Sequence, residues 1–313
     1  MAYNFDDMEI LGVHDRNELM EPELLTGDDL IEHLIDTEPV EMLPVEEKPE
    51  EREPRRADLK SQEVNRGGSK MNVDITAAID VTGSMQKLID VIKRDVVRLR
   101  DLVHDPLVAN LAMKRKDREL NRMRIRIVAF RDYNYDGEAE LQPWHGPMLT
   151  SDFYDLDDEF DRQSLQEFMD KLEATGGEDE PESALEALHY AINSPWDFDE
   201  SAVHRHLIML FTDAPAHPLT NEDPEKRNEG NKYYPLDADM PGDLVSLHAE
   251  YENPALIDTS AHRLVIFAPE GAYPWSQMSK WNGATVNTVV SNHGLSEVDL
   301  DTIVSALTGS IGR

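Results

Sequence analysis

No cysteine occurs among the 313 residues. That absence excludes a disulfide framework, a thiol nucleophile and thiolate metal ligands. Cationic side chains are scarce as well: 30 Lys and Arg stand against 64 Asp and Glu, a formal net charge of −34. So acidic a surface repels phosphate backbones and anionic leaflets, so neither nucleic acid nor a membrane surface is expected as a direct partner. Long apolar runs are missing too. No stretch approaches the roughly 18 apolar residues that a spanning helix requires. The opening MAYNFDDMEI carries acids where a secretion signal has positive charge followed by an apolar run. Together these absences predict a soluble, cytoplasmic protein.

What is present is unevenly distributed. Residues 1–50 hold 16 acidic side chains against Arg16 and Lys48 alone, whereas 51–70 carry six basic and four acidic ones. From Pro39 to Lys70 there are four prolines, little bulky apolar content and no periodicity. Such a segment cannot bury enough surface to offset its ordering entropy and reads as a linker. Ahead of it, Leu30, Ile31, Leu34 and Ile35 follow Asp28 with the spacing of a short amphipathic helix. This tail is either a solubilising extension or a segment that folds on docking. The expected organisation is therefore a tail and linker over 1–70 and one domain over 71–313.

Beyond Asn72 strand and helix signals alternate. VDITAAID (73–80), IRIVAF (125–130), LIMLF (207–211), LVIFA (264–268) and TVNTVV (285–290) read as strands, with LTSDF (149–153) as a short edge strand. Five consecutive apolar residues in LIMLF mark a central strand covered on both faces. Leu88, Ile89, Ile92, Val96, Leu99 and Val103 form one helical stripe over 86–103. Further helices are expected over 164–172 and 182–193, and near 241–250, 274–281 and 295–307. The alternation argues for an open, mostly parallel α/β sheet.

Ligands in such sheets bind at the carboxyl ends of the strands. Here those ends carry Asp80-Val-Thr82-Gly-Ser84-Met, Arg131-Asp132-Tyr133 and Thr212-Asp213-Ala-Pro215, and Thr175-Gly-Gly-Glu178-Asp179-Glu180 precedes the helix at 182. Carboxylates and hydroxyls without cysteine suit a hard divalent cation, Mg²⁺ first and Mn²⁺ or Ca²⁺ next. In a turn leaving a strand for a helix, Asp80, Thr82 and Ser84 can face one point, with Gly83 allowing close backbone approach. Two neutral hydroxyls and one carboxylate leave such an ion under-neutralised and receptive to another molecule's acid. The competing reading makes Asp80 a helix cap and Gly83 a plain turn residue. Asp132 and Tyr133 read equally well as surface loop residues. His204 and His206 share a strand face and, without a third ligand at useful spacing, read as a structural pair rather than a zinc site. His217 lies near the same rim. The acidic run 152–161 lacks the spacing of a calcium loop and reads as a solvated loop.

DVTGSM (80–85) resembles the metal-ion-dependent adhesion site of von Willebrand factor A domains, with the pattern Asp-x-Ser/Thr-x-Ser. RDY (131–133), GGEDEPE (176–182) and TDAPAH (212–217) are similar to the corresponding loops of the bacterial and alpha-kinase-linked branch of that family, in the same order. The resemblance implies a Rossmann-like, open, mostly parallel six-stranded sheet flanked by helices. It also implies that Thr82 and Ser84 coordinate the metal directly, that Asp80 ligates it or holds a ligating water, and that Asp213 is the second carboxylate. The middle loop departs from the family pattern: Asp179 is the preferred ligand and Thr175 the alternative. An extra carboxylate there would leave less positive charge to recruit a partner.

The resulting expectation is a non-catalytic module whose Mg²⁺ site grips an Asp or Glu of a partner protein. The resemblance places such modules in bacterial or phage assemblies, often with an AAA+ ATPase. The tail could compete for the same site as a tethered inhibitor. A structural subunit with an idle site is one alternative. The other is a Mg²⁺-dependent phosphohydrolase or kinase using Asp80, disfavoured because the chain has no Walker loop, kinase glycine loop or Gly-x-Ser-x-Gly elbow. The long 214–242 loop carries Lys226, Arg227, Lys232, Tyr233 and Tyr234 and is either a partner-recognition element or an insertion without a role.

Overall fold

The computed structural model describes residues 69–114, 118–133, 143–177, 181–219, 239–290 and 295–312. The chain divides into residues 1–63 and 64–313, and every described residue lies in the second part. The acidic tail, Asp179 and the basic and tyrosine residues of the 214–242 loop lie outside the described residues.

Strand β1 (Ser69–Asp80) pairs in parallel with β2 (Arg118–Phe130) on one side and β5 (Val203–Phe211) on the other. Beyond β5 come β6 (His262–Pro269) and β7 (Ala284–Val289), both parallel. Beyond β2, the short strands β3 (Met148–Thr150) and β4 (Tyr154–Asp155) run antiparallel to it. The order is β3-β2-β1-β5-β6-β7, with β4 pairing β2 off this path. The sheet thus has seven strands rather than the expected six, because the segment read as one edge strand, LTSDF, leaves strand geometry at Ser151 and the chain pairs with β2 again only at Tyr154–Asp155. The Ser151 hydroxyl takes the Ile127 N–H at 2.9 Å, substituting a side chain for the next ladder bond.

Helices α1 (Gln86–Asp95), α2 (Leu99–Met113), α3 (Glu159–Lys171) and α7 (Leu300–Ile311) cover one face of the sheet. Helices α4 (Ala184–Ile192), α5 (Leu244–Tyr251) and α6 (Trp275–Met278) cover the other. The strand period of two sorts the core accordingly: Leu207, Met209 and Phe211 pack on the first face, Ile208 and Leu210 on the second. Both faces of β5 are buried, as LIMLF implied. The stripe expected over 86–103 is split by a 3₁₀ turn at Val96–Arg98 and then continues to Met113. Pro106 does not end that helix, because Val103, Leu107 and Leu111 keep one face fully engaged with the core. Helix α3 starts at Glu159, earlier than expected, where Asp158 caps it by accepting the Asp161 N–H at 3.0 Å. Asp243 and Asp299 cap α5 and α7 in the same way. Part of the acidic run at 152–161 therefore serves a strand and a helix cap and is not all solvated loop.

Successive connections run outward from β1 to β2 and β3, then return across the sheet to β5, β6 and β7. The direction reverses between β1 and β5, so the carboxyl ends of these two strands border the switch point of a doubly wound sheet. Among the described residues no helix is long and apolar enough to cross a membrane.

Candidate functional site

Asp80 is the last residue of β1 and is fully buried. Thr212, just past Phe211 at the end of β5, sits beside it because Phe211 is in register with Ile79. Asp80 Oδ1 accepts the Thr82 N–H at 2.9 Å and the Thr82 hydroxyl at 2.6 Å. Its Oδ2 accepts the Thr212 hydroxyl at 2.8 Å. The helix-cap reading of Asp80 is not what the geometry shows: no side-chain cap bond starts the 3₁₀ turn at Gly83–Met85 or α1. Burial pushes the Asp80 carboxyl up to about 6, and the negative charge of Asp213 pushes the same way against the pull of the Thr82 and Thr212 hydrogen bonds.

Asp213 is 2% exposed, and its Oδ1 accepts the hydroxyl of the exposed Ser84 at 3.0 Å. Asp80, Thr82, Ser84 and Asp213 are therefore linked, with Thr212, into one cluster at the switch point. The residues fit a hard cation for a chemical reason visible in the bonds. Each of the two hydroxyls spends its proton on a carboxylate, which leaves its oxygen lone pairs available to a metal. Among the described residues no three His, Asp or Glu side chains gather closely enough to hold a metal by themselves.

The middle loop is pressed onto this cluster. Thr175 donates its N–H to Val81 O at 3.0 Å, and Gly176 O accepts the Gly83 N–H at 3.1 Å. Gly176 and Gly177 are both left-handed, with φ of 78° and 75°. A Cβ on Gly177 would lie 2.6 Å from Thr82 Cβ, so the glycine is needed for space as well as for its backbone angle. Thr175, half-buried, is thus beside the cluster, and Asp179 lies outside the described residues.

Asp132 and Tyr133 are not surface loop residues. They are 1% and 4% exposed, and they close the rim on a second side. Ser183 donates its hydroxyl to Asp132 Oδ1 at 3.4 Å and its N–H to Arg131 O at 3.2 Å, and accepts the Tyr133 N–H at 3.0 Å. His217 Nε2 lies 3.3 Å from Asp132 Oδ1, beside the rim as its position implied. Sequence reasoning placed Thr212 and Arg131 at these strand ends without giving either a role, and missed Ser183, which carries no local signal.

His204 and His206 are far from this chemistry in kind. His206 stacks on Trp196 at 4.9 Å, and its Nδ1 accepts the Asp258 N–H at 3.1 Å while Nε2 lies 2.8 Å from Asp197 O. The ring is a neutral structural tie, with burial lowering its affinity for a proton.

The strand order, the reversal at β1 and the motif standing at that reversal agree. The fold is von Willebrand factor A-like. No family model matches the chain, and no curated protein matches its sequence. Solved structures that resemble it include the pilus adhesin SpaC from Lactobacillus rhamnosus GG in its open conformation, 11% identical over 79% of this chain and 31% of that one, with a TM-score of 0.44. Proximal thread matrix protein 1 from the mussel byssus, with a zinc-occupied MIDAS motif, is 14% identical over 75% of this chain and 46% of that one, with a TM-score of 0.37. The vWF domain of the type V pili tip protein Mfa5 from Porphyromonas gingivalis is 16% identical over 77% and 97%, also with a TM-score of 0.37. The chain spans about a third to a half of the length of the first two. At these TM-scores the likenesses carry no weight, and the fold assignment rests on the chain's own strand order.

Proposed function

We propose that the rim at the β1–β5 switch point holds a divalent cation, Mg²⁺ by preference with Mn²⁺ or Ca²⁺ as substitutes, and that the chain is a non-catalytic protein-interaction module. One observation supports this above the others. Two buried carboxylates, Asp80 and Asp213, stand close enough for one to raise the pKa of the other, with Asp80 accepting the Thr82 and Thr212 hydroxyls and the Thr82 N–H, and Asp213 accepting the Ser84 hydroxyl. Such an arrangement is unfavourable by itself and is relieved by a cation. Thr82, Ser84 and Asp213 would hold it directly, with Asp80 as a ligand or as the anchor of a ligating water, and with Thr175 or Asp179 contributing from the middle loop. When bound, the ion supplies a coordination position for a carboxylate oxygen of a partner protein.

The chain's own residues do the rest. Asp80 orients the Thr82 hydroxyl, Asp213 orients that of Ser84, and the Gly176–Gly177 turn fixes the depth of the rim. The partner is a protein presenting Asp or Glu, and the motif resemblance favours a bacterial or phage assembly containing an AAA+ ATPase. Cytoplasmic residence, favoured by the cysteine-free composition, is part of the same proposal. The test is retrieval of partners from the native host on immobilised protein, with Mg²⁺ or with chelator. A partner held only with Mg²⁺, and lost with Ser84→Ala, is expected. Metal-dependent turnover of nucleotides or phosphoesters that disappears in Asp80→Ala would overturn the non-catalytic reading.

A further inference from the structure

Arg131 is the first residue beyond β2 and is fully buried. A guanidinium is costly to bury unless its donors are met. Here carbonyl oxygens meet them: Nε donates to Thr175 O at 3.0 Å, Nη1 to Gly146 O at 2.7 Å, and Nη2 to Glu173 O at 2.6 Å and Trp144 O at 3.4 Å. Two loops distant in sequence are thereby tied to one side chain at the end of one strand. The backbone of Arg131 extends the tie, since its N–H donates to Pro147 O at 2.9 Å and its carbonyl accepts from Ser183. The Glu173–Thr175 segment runs straight into Gly176 and Gly177, which touch Gly83 and Thr82. The planar fork of an arginine can bridge such divergent acceptors, whereas a lysine ammonium on a flexible stem cannot hold them at fixed spacing.

We propose that Arg131 is the positioning residue of the rim: its guanidinium fixes the Glu173–Thr175 segment and thereby sets the distance between the middle loop and the Asp80–Ser84 loop. Its consequence for metal affinity rests on the reading of the rim as a cation site, whereas its hold on the loop does not. Removing bonds to a charged donor loosens a local segment by at least about tenfold in opening equilibrium.

The experiment compares amide exchange of the full-length protein and its Arg131→Lys and Arg131→Met variants in chelator, followed by calorimetric titration of each with Mg²⁺. At least about tenfold faster exchange at Gly83 and Thr175 is expected in both variants, with the β5 amides of 207–211 unchanged and lysine giving no rescue. Metal affinity is expected to fall by about the same factor. Unchanged exchange at Gly83 and Thr175 would overturn the proposal whatever the metal does. Faster exchange there, in a protein whose wild type takes up no Mg²⁺, would support the positioning role and overturn the cation site instead. Should both variants fail to fold, wild-type exchange decides. Equal protection of the Arg131 Nε–H, the Thr175 amide and the Gly83 amide supports one shared opening. An Nε–H protected about tenfold less than those amides overturns it.

Discussion

Buried carboxylates occur at two levels of the same sheet and are treated differently. On β1, Asp74 is 1% exposed and receives both arms of Arg124, at 2.8 and 2.6 Å, together with the Asp197 N–H at 2.8 Å. Asp197 is in turn paired with Arg122. Six residues further along the same strand, Asp80 is equally buried, yet its neighbours are hydroxyls, an amide and the second acid Asp213. The first acid is neutralised by the fold, and the second, on the proposed reading, by a bound cation. Burial alone therefore does not mark a functional carboxylate; the sign of its neighbours does.

The contrast breaks most sharply at Arg124. Arg124→Ala leaves Asp74 buried without its counter-charge and is expected to cost about 3–5 kcal/mol, read as a fall in the urea midpoint. Metal uptake by the protein that remains folded should be unchanged. Asp80→Asn is expected to act in the opposite direction. With its folded pKa raised to about 6, the ionised carboxyl is disfavoured in the fold. Its cost is absent below the unfolded value of 3.8, grows as pH rises from there to the folded value of about 6, and stays at up to about 3 kcal/mol above it. In chelator at pH 8 the variant should therefore melt above the wild type, and added Mg²⁺ should no longer raise its melting temperature.

A third change sharpens the comparison from the backbone. Gly177→Ala puts a methyl 2.6 Å from Thr82 Cβ at a φ of 75°, which is expected to cost about 1–3 kcal/mol and to displace the Thr82 hydroxyl. Calorimetry should show weaker Mg²⁺ binding, an effect that Arg124→Ala does not produce. The smallest effect concerns acid. Burial lowers the pKa of both His206 and His262 in the fold. Their contribution is complete above the unfolded value near 6.5 and is lost as pH falls through it, because the unfolded chain takes up protons that the fold refuses. Denaturant midpoints between pH 7.5 and 5.5 should fall, and the fall should be shallower in His206→Gln.

Much of this layout was legible beforehand, for reasons that differ by element. LIMLF announced a central strand because consecutive apolar residues have no other use in a sheet of this kind, and Asp80-x-Thr82-x-Ser84 announced its rim because three oxygen side chains share one tight turn. The seventh strand was hidden because its break at Ser151 depends on a hydroxyl reaching Ile127, a long-range contact. The extension of α2 past Pro106 was hidden because local propensity argues against it and only tertiary packing of Leu107 and Leu111 outweighs that. Arg131 was legible as a strand-end residue but its tying role was not, since it donates to carbonyl oxygens, which no side-chain pattern encodes. The burial of Asp132 and Tyr133 was hidden likewise, because the Ser183 that secures them is some 50 positions away in sequence.

Isothermal titration of the metal-free, full-length protein with Mg²⁺, in parallel with its Asp213→Ala variant, tests the central claim most directly. Saturable uptake of one ion by the wild type, lost in the variant while its far-ultraviolet spectrum is preserved, is the expected result. Absence of uptake by the wild type, for Mn²⁺ as well as Mg²⁺, would contradict it.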